Sequence, residues 1–264
     1  MNENENQNDN DDVPAKPDPI IKNEKEPIEP MPDNPGLVTT FETLLKKPVT
    51  LVDAMLKGDA SGKIVTNLII TAVGSLAVFG LIIGTVSMGA QLWAAPLKIS
   101  LGMLVAGLIC LPSLYIFACL NGLDVKISSA AGVLFAMICM TALLLLGFAP
   151  VVWIFSQSTN SIVFMGGLAL AFWAVAIYFG LGVLSRTAEH LGMKGRSHLV
   201  VWMGIFIMVG LQMTTSLRPI VGKSDKFFTT EKKFFLTHWT EQVEKESRRV
   251  ITPQEQARAN PEGQ

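Results

Sequence analysis

The sequence predicts an all-α fold: a polytopic transmembrane bundle of five helices, with a disordered N-terminal tail and amphipathic flanking helices. Three observations predict it. Residues 64–217 contain five long apolar runs almost empty of charge, and a bilayer-spanning helix needs about 20 such residues to cross roughly 30 Å of hydrocarbon. Half of the 264 residues are hydrophobic and 16% are charged, whereas a soluble chain usually has about 25% charged residues. The charges are also segregated, collecting in the ends of the chain and in its short connections.

Residues 1–35 form the first region. They hold ten acidic residues, three lysines and seven prolines, so the near-neutral total of the chain hides an acidic head. With so few apolar residues to bury, this stretch cannot offset its ordering entropy and is expected to be disordered. A secretory signal needs a positive start and an apolar core of about 7 to 15 residues. This head has neither, so the first span is expected to insert by itself.

Residues 36–63 are amphipathic. Phe41, Leu44, Leu45, Leu51, Val52, Met55 and Leu56 recur at helical spacing beside Lys46, Lys47 and Lys57. Pro48 divides the segment, Thr50 reads as the N-cap of its second piece and Gly58 as its stop. Two short basic helices before a span suit an anionic cytoplasmic leaflet, where each nearby lysine adds about 1 kcal/mol of attraction. The alternative is a helix pair packed on the base of the bundle.

The transmembrane domain covers residues 64–217, with spans at 64–87, 99–120, 127–149, 162–185 and 199–217. Short connections, of 13 residues at most, make consecutive spans antiparallel neighbours. The third connection begins at Pro150, and Trp153 in it is a candidate headgroup-level anchor. Lysines and arginines favour one side: eight flank the first span's start and fill the second and fourth connections, against four opposite, before Lys232 and Lys233. This places the N-terminus in the cytoplasm. Gly80 with Gly84, Gly102 with Ala106, and the glycines of the fourth span are small residues that let helix backbones approach. Asn67, Ser75, Ser113, Thr141, Gln212, Thr214 and Thr215 can hydrogen-bond between helices. Packing within one subunit is the plain reading of these surfaces, and a homo-oligomer seam is the alternative.

These five spans hold no Asp, Glu, Lys, Arg or His, which argues against a proton- or cation-coupled transporter. Pro112 breaks the second span and is the best candidate for a half-helix transport site, with packing as the competing explanation. Cys110, Cys119 and Cys139 lie in apolar runs without metal-ligand spacing, and no cofactor is expected. His190 and His198 sit in the basic fourth connection, where they suit lipid phosphate or plain solvation. Nucleophile-elbow, Walker-type, zincin and kinase motifs are missing from the sequence, so no enzyme is expected.

The fifth span leaves the membrane at Gln212-Met-Thr-Thr-Ser-Leu-Arg-Pro-Ile-Val-Gly222. Arg218 is placed to snorkel to phosphate, Pro219 to stop the helix and Gly222 to turn the chain. Residues 218–252 then mix Phe227, Phe228, Phe234, Phe235 and Trp239 with lysines, in the pattern of a segment lying on the membrane surface. Residues 253–264 are expected to be disordered.

Two stretches carry a resemblance. Leu111-Pro-Ser-Leu-Tyr-Ile-Phe117 and Thr141-Ala-Leu-Leu-Leu-Leu-Gly-Phe-Ala-Pro150, with the exit Leu217-Arg-Pro-Ile-Val-Gly222, resemble a group of bacterial five-span integral membrane proteins. Some of these are labelled "actin-binding WH2 domain protein". Leu45-Lys46-Lys47-Pro48 is similar to the L-K-K-T/V core of that short motif, with proline in the fourth position. The layout also resembles, more loosely, the Yip-family architecture of membrane organisation and trafficking. The resemblance implies a fold and carries no catalytic residue with it. The combination of charge-free spans with long polar ends points to a non-enzymatic inner-membrane protein with a scaffolding or partner-binding role. The expected partners are the lipid bilayer, proteins reached through the acidic tail and a second copy of the chain, with no nucleic acid. A small transporter, channel or permease subunit is the alternative, with a path near Pro112 and Gln212.

Overall fold

The computed structural model describes residues 35–57, 61–87, 91–158, 162–193, 195 and 197–216. The expected acidic tail, Arg218, Pro219, Gly222 and the aromatic C-terminal segment lie outside the described residues. Among the described residues there are seven helices and no strand. They are α1 (Leu37–Lys46), α2 (Pro48–Lys57), α3 (Ser61–Ser87), α4 (Gln91–Leu120), α5 (Ile127–Ser158), α6 (Ile162–His190) and α7 (Ser197–Ser216).

Four helices are long and apolar enough to cross a membrane, over Gly62–Thr85, Leu92–Leu120, Ile127–Ser158 and Phe164–His190. At about 1.5 Å per residue, α3 to α6 run about 40 to 48 Å, longer than the roughly 30 Å hydrocarbon core. The apolar α7 has 20 residues, about 30 Å on the same rise.

The central element is α5. Helices α3, α4 and α6 pack on it, α3 also packs on α4, and α7 packs on α4. Buried residues run the length of α5 from Ala130 to Val152, and a continuous apolar cluster joins it to its neighbours. Small residues set the closest approaches. A Cβ on Gly80 of α3 would stand 2.5 Å from the Cα of Pro96 in α4, and one on Gly180 of α6 would stand 2.9 Å from the Met137 carbonyl oxygen in α5. Phe148 and Phe172 stack across the same α5–α6 contact with centroids 4.5 Å apart.

The helix pair α1–α2 packs under one end of the bundle, against α3, α5 and, through α2, α6. Its apolar face joins the core through Leu44, Leu51, Val52 and Met55. Exposed Leu37, Val38 and Leu45 remain on its other face. Gly36 caps α1 in extended conformation, its carbonyl accepting both the Thr40 amide at 3.0 Å and the Thr40 hydroxyl at 2.8 Å.

Three expectations are corrected. First, α2 starts at Pro48, and Thr50 lies inside it rather than capping it. Proline suits the first helical position because the amide it lacks has no intrahelical partner there. Secondly, α4 and α5 pass through prolines that the sequence reading placed in connections: Pro96 and Pro150 are both inside helices. Each removes one backbone bond; Pro96 lies in the second turn of α4, and its ring fits because Gly80 opposite has no side chain. Thirdly, the earlier start of α4 brings Lys98 into the membrane-capable stretch, where it is 1% exposed on the buried face with Ala95. The spans are therefore not free of ionisable groups.

Candidate functional site

Polar chemistry concentrates at the end of the bundle where α3, α5 and α7 begin and α4 and α6 finish. Two helix termini there are built alike. After α4, Gly122 adopts φ 78°, the Leu123 amide donates to the Ala118 carbonyl at 3.2 Å, and the Gly122 amide donates to Cys119 at 2.9 Å. After α6, Gly192 adopts φ 85°, the Met193 amide donates to Ala188 at 3.0 Å, and the Gly192 amide donates to Glu189 at 3.1 Å. Both are Schellman motifs, in which a left-handed residue lets the last carbonyls be satisfied and the next residue folds back on the helix. Glycine is required at both positions because a Cβ is strained at such φ. The sequence signal was a glycine after an apolar helix, followed by an apolar residue, in Asn121-Gly-Leu and Leu191-Gly-Met.

The folded-back residues roof a pocket. Leu123 and Met193, with Ala118 and Ala188 beneath them, line a half-open cavity of about 40 Å³ between the ends of α4, α5, α6 and α7. Ala130 and Val133 of α5 form part of its wall, and Leu56 of α2 also reaches it. Its walls expose apolar atoms alone. The two loops over it touch, since a Cβ on Gly195 would stand 3.4 Å from Asn121 Oδ1. At the rim, His198 lies against Phe117 with ring centroids 6.3 Å apart.

The cap helices are tied to this end by two polar contacts. Asp53 in α2, 7% exposed, meets His190 Nε2 at the last residue of α6 through Oδ1 at 3.0 Å. Asn67 of α3 donates through Nδ2 to the Pro35 carbonyl at 3.1 Å and to Thr40 Oγ1 at 3.2 Å. On the outer face of α1, the hydrogen bond and charge of Lys46 hold the Glu42 carboxyl below its ordinary value. The Leu45-Lys46-Lys47 string ends this same helix.

The residues singled out in the sequence are not brought together. Pro112 is on an exposed face of α4 and Gln212 is exposed near the far end of α7. Helix α3, with Asn67 and Ser75, packs on α4 and α5, whereas α7 packs on α4. Beside Pro112 the structure has a different feature. The indole of Trp202 in α7 donates to the Cys110 carbonyl at 3.2 Å and to Ser113 Oγ at 3.1 Å, and the Ser113 hydroxyl donates to the same carbonyl at 2.8 Å. This knot fastens α7 to α4 beside Pro112, through which α4 runs as one helix. Sequence reasoning missed Trp202, Asp53 and Lys98, none of which lies in a recognisable motif.

Among the described residues no three His, Cys, Asp or Glu side chains are grouped to hold a metal. Compared with known proteins, the chain matches no family model, no curated protein and no solved structure.

Proposed function

We propose that the chain is a non-enzymatic integral membrane protein that scaffolds or organises partners, with α7 as a fifth span and the capped end in the cytoplasm. The observation that carries this reading is the apolar core around α5. It is packed from Ala130 to Val152, so the middle of the bundle offers packing, and the polar groups available to partners sit at the ends. The capped end carries the exposed apolar and basic face of α1 and the two glycine-capped loops. An α7 of about 30 Å matches the hydrocarbon thickness, and the lysine and arginine bias orients the whole. The resemblance to bacterial five-span proteins supports an inner-membrane location.

Crosslinking in intact cells, followed by identification of neighbours, tests the role. A reproducible partner or self-association is the expected result. Recovery of the protein alone after mild detergent extraction overturns it, and solute flux in reconstituted vesicles would support a transport subunit instead.

A further inference from the structure

Helix α1 has three sides. At about 100° per residue, Thr40 and Leu44 share one of them, and both are buried against the bundle. Leu37, Val38, Phe41 and Leu45 fall within an adjoining arc of about 100°. Leu37, Val38 and Leu45 are exposed there, and Val38, at 63%, is the most open of them. Thr39, Glu42 and Lys46 take the remaining side, where Lys46 bonds Glu42 at 2.6 Å. A helix packed on a bundle in water needs a single apolar stripe facing the core. This one carries a second apolar side that the bundle leaves uncovered. Helix α2 differs, since Leu51, Val52 and Met55 all enter the core.

The contacts of the two cap helices fix their depth. Asn67 of α3 holds the Pro35 carbonyl at 3.1 Å and Thr40 Oγ1 at 3.2 Å. It is the sixth residue after Ser61, where α3 starts, and so lies about 9 Å along that helix. A helix of about 40 Å centred on roughly 30 Å of hydrocarbon extends about 5 Å beyond it at each end, which places Asn67 about 4 Å beneath the hydrocarbon boundary. Met55 of α2 gives a similar level on α5. Its Sδ stands 3.1 Å from where a Cβ on Gly132 would be, and Gly132 lies about 7.5 Å from the start of α5 at Ile127. Helix α5, about 48 Å long, extends about 9 Å beyond the hydrocarbon at each end, so this contact is also at the boundary. Ile70, one turn further into α3 than Asn67, is exposed. The lipid-facing surface of the span therefore begins next to the residue that holds the start of α1.

We propose that α1 lies in the membrane interface, with Leu37, Val38 and Leu45 inserted among the acyl chains, Glu42 and Lys46 in the water, and Thr40 and Leu44 on the bundle. The partner of this second apolar side is the lipid surface itself, at the depth where interfacial helices bury their apolar face. The inserted side carries no charge, so insertion needs no anionic headgroup. The proposal rests on the reading that α3 and α5 cross a bilayer, and it leaves the polar side of α1 as the part open to proteins.

The test places a fluorescent amino acid at Val38, Glu42 or Ile70, one at a time, in the full chain reconstituted into phosphatidylcholine vesicles whose acyl chains carry bromine as a short-range quencher. The expected result is loss of most emission at Val38 and Ile70 and little loss at Glu42, unchanged when part of the phosphatidylcholine is replaced by phosphatidylglycerol. Equal loss at Val38 and Glu42, while Ile70 is quenched, overturns the proposal and leaves the membrane reading standing. Absence of quenching at Ile70 as well overturns both. Quenching at Val38 that requires phosphatidylglycerol also refutes apolar insertion. In native membranes a photoreactive side chain at Val38 should give lipid adducts; protein adducts alone would assign this side of α1 to a protein partner and overturn the proposal.

Discussion

Substituting Gly80 by alanine should loosen the α3–α4 contact, whereas the same change at Gly74, six residues earlier on the same helix, should not. A Cβ at Gly80 would lie 2.5 Å from Pro96 Cα, 2.9 Å from Pro96 N and 3.2 Å from the Ala95 carbonyl carbon. Carbon atoms rest at about 3.5 to 4.0 Å, so the helices must part by about 1 Å. These neighbours are backbone and cannot rotate away. A gap of that size forfeits a quarter to a half of each contact energy along the seam, which includes buried Leu76, Phe79, Ile83 and Ala95. Overpacking of this kind costs about 1 to 3 kcal/mol, set against about 1 kcal/mol of helix propensity gained by replacing glycine. The net expectation is a loss of about 0 to 2 kcal/mol, which places Gly80→Ala about 1 to 3 kcal/mol below Gly74→Ala. At Gly74 nothing lies within 4 Å, so the propensity gain stands unopposed. Unfolding of the full chain by denaturing detergent, followed by circular dichroism, reads both variants. If Gly80→Ala proves as stable as Gly74→Ala, the close crossing does not exist and the bundle geometry is wrong.

Four other outcomes follow from single contacts. Trp202→Phe should cost about 1 kcal/mol in the same unfolding assay, at the low end because the Ser113 hydroxyl still serves the Cys110 carbonyl; combining it with Ser113→Ala should be non-additive. Thr187→Val should stabilise by about 1 kcal/mol, since the Thr187 hydroxyl is buried with no hydrogen-bond partner among the described residues; a loss on substitution would reveal a partner. A double-mutant cycle of Asp53→Asn and His190→Ala should show coupling of about 1 to 2 kcal/mol, and additive effects would dissolve the clamp between α2 and α6. Glu42 should titrate below a free glutamate in a carboxyl chemical-shift titration, because Lys46 favours its charged form. The sign follows: the pair's contribution is complete above the ordinary glutamate value and disappears as pH falls through the lowered one.

Apolar run length made the membrane-capable helices legible, because nothing but a span or a deep core uses two dozen such residues. The amphipathic lead-in was equally plain, since Leu44, Leu51, Val52 and Met55 repeat at helical spacing and all four are buried. Helix ends were less legible. Prolines were read as stops, yet Pro96 and Pro150 lie inside helices, where the loss of one backbone bond is outweighed by packing. That error hid Lys98, whose burial depends on where α4 begins. The small-residue reading located Gly80 but not its partner, as a proline across a crossing leaves no periodic trace. Asp53 and His190 are 137 residues apart, and no local pattern announces such a pair. The Schellman turns at Gly122 and Gly192, by contrast, were written in the sequence and passed over among its many glycines.

Helix α2 joins the features of the capped end. Asp53 bonds the last residue of α6, and Leu56, nearly one turn later, reaches the pocket beside Ala188 and Leu191 of that same terminus. Leu51 and Val52, immediately before Asp53, are fully buried in the bundle core. A displacement of α2 therefore acts on the His190 contact, the pocket wall and the core packing together. Since α2 follows α1 with one residue between them, whatever binds the exposed face of α1 pulls on the same helix. Binding at the outer cap and occupancy of the pocket thus share a mechanical element. An energetic link between them requires that α2 have two positions of different pocket shape, because a ligand shifts an equilibrium only by its differential affinity for the two states.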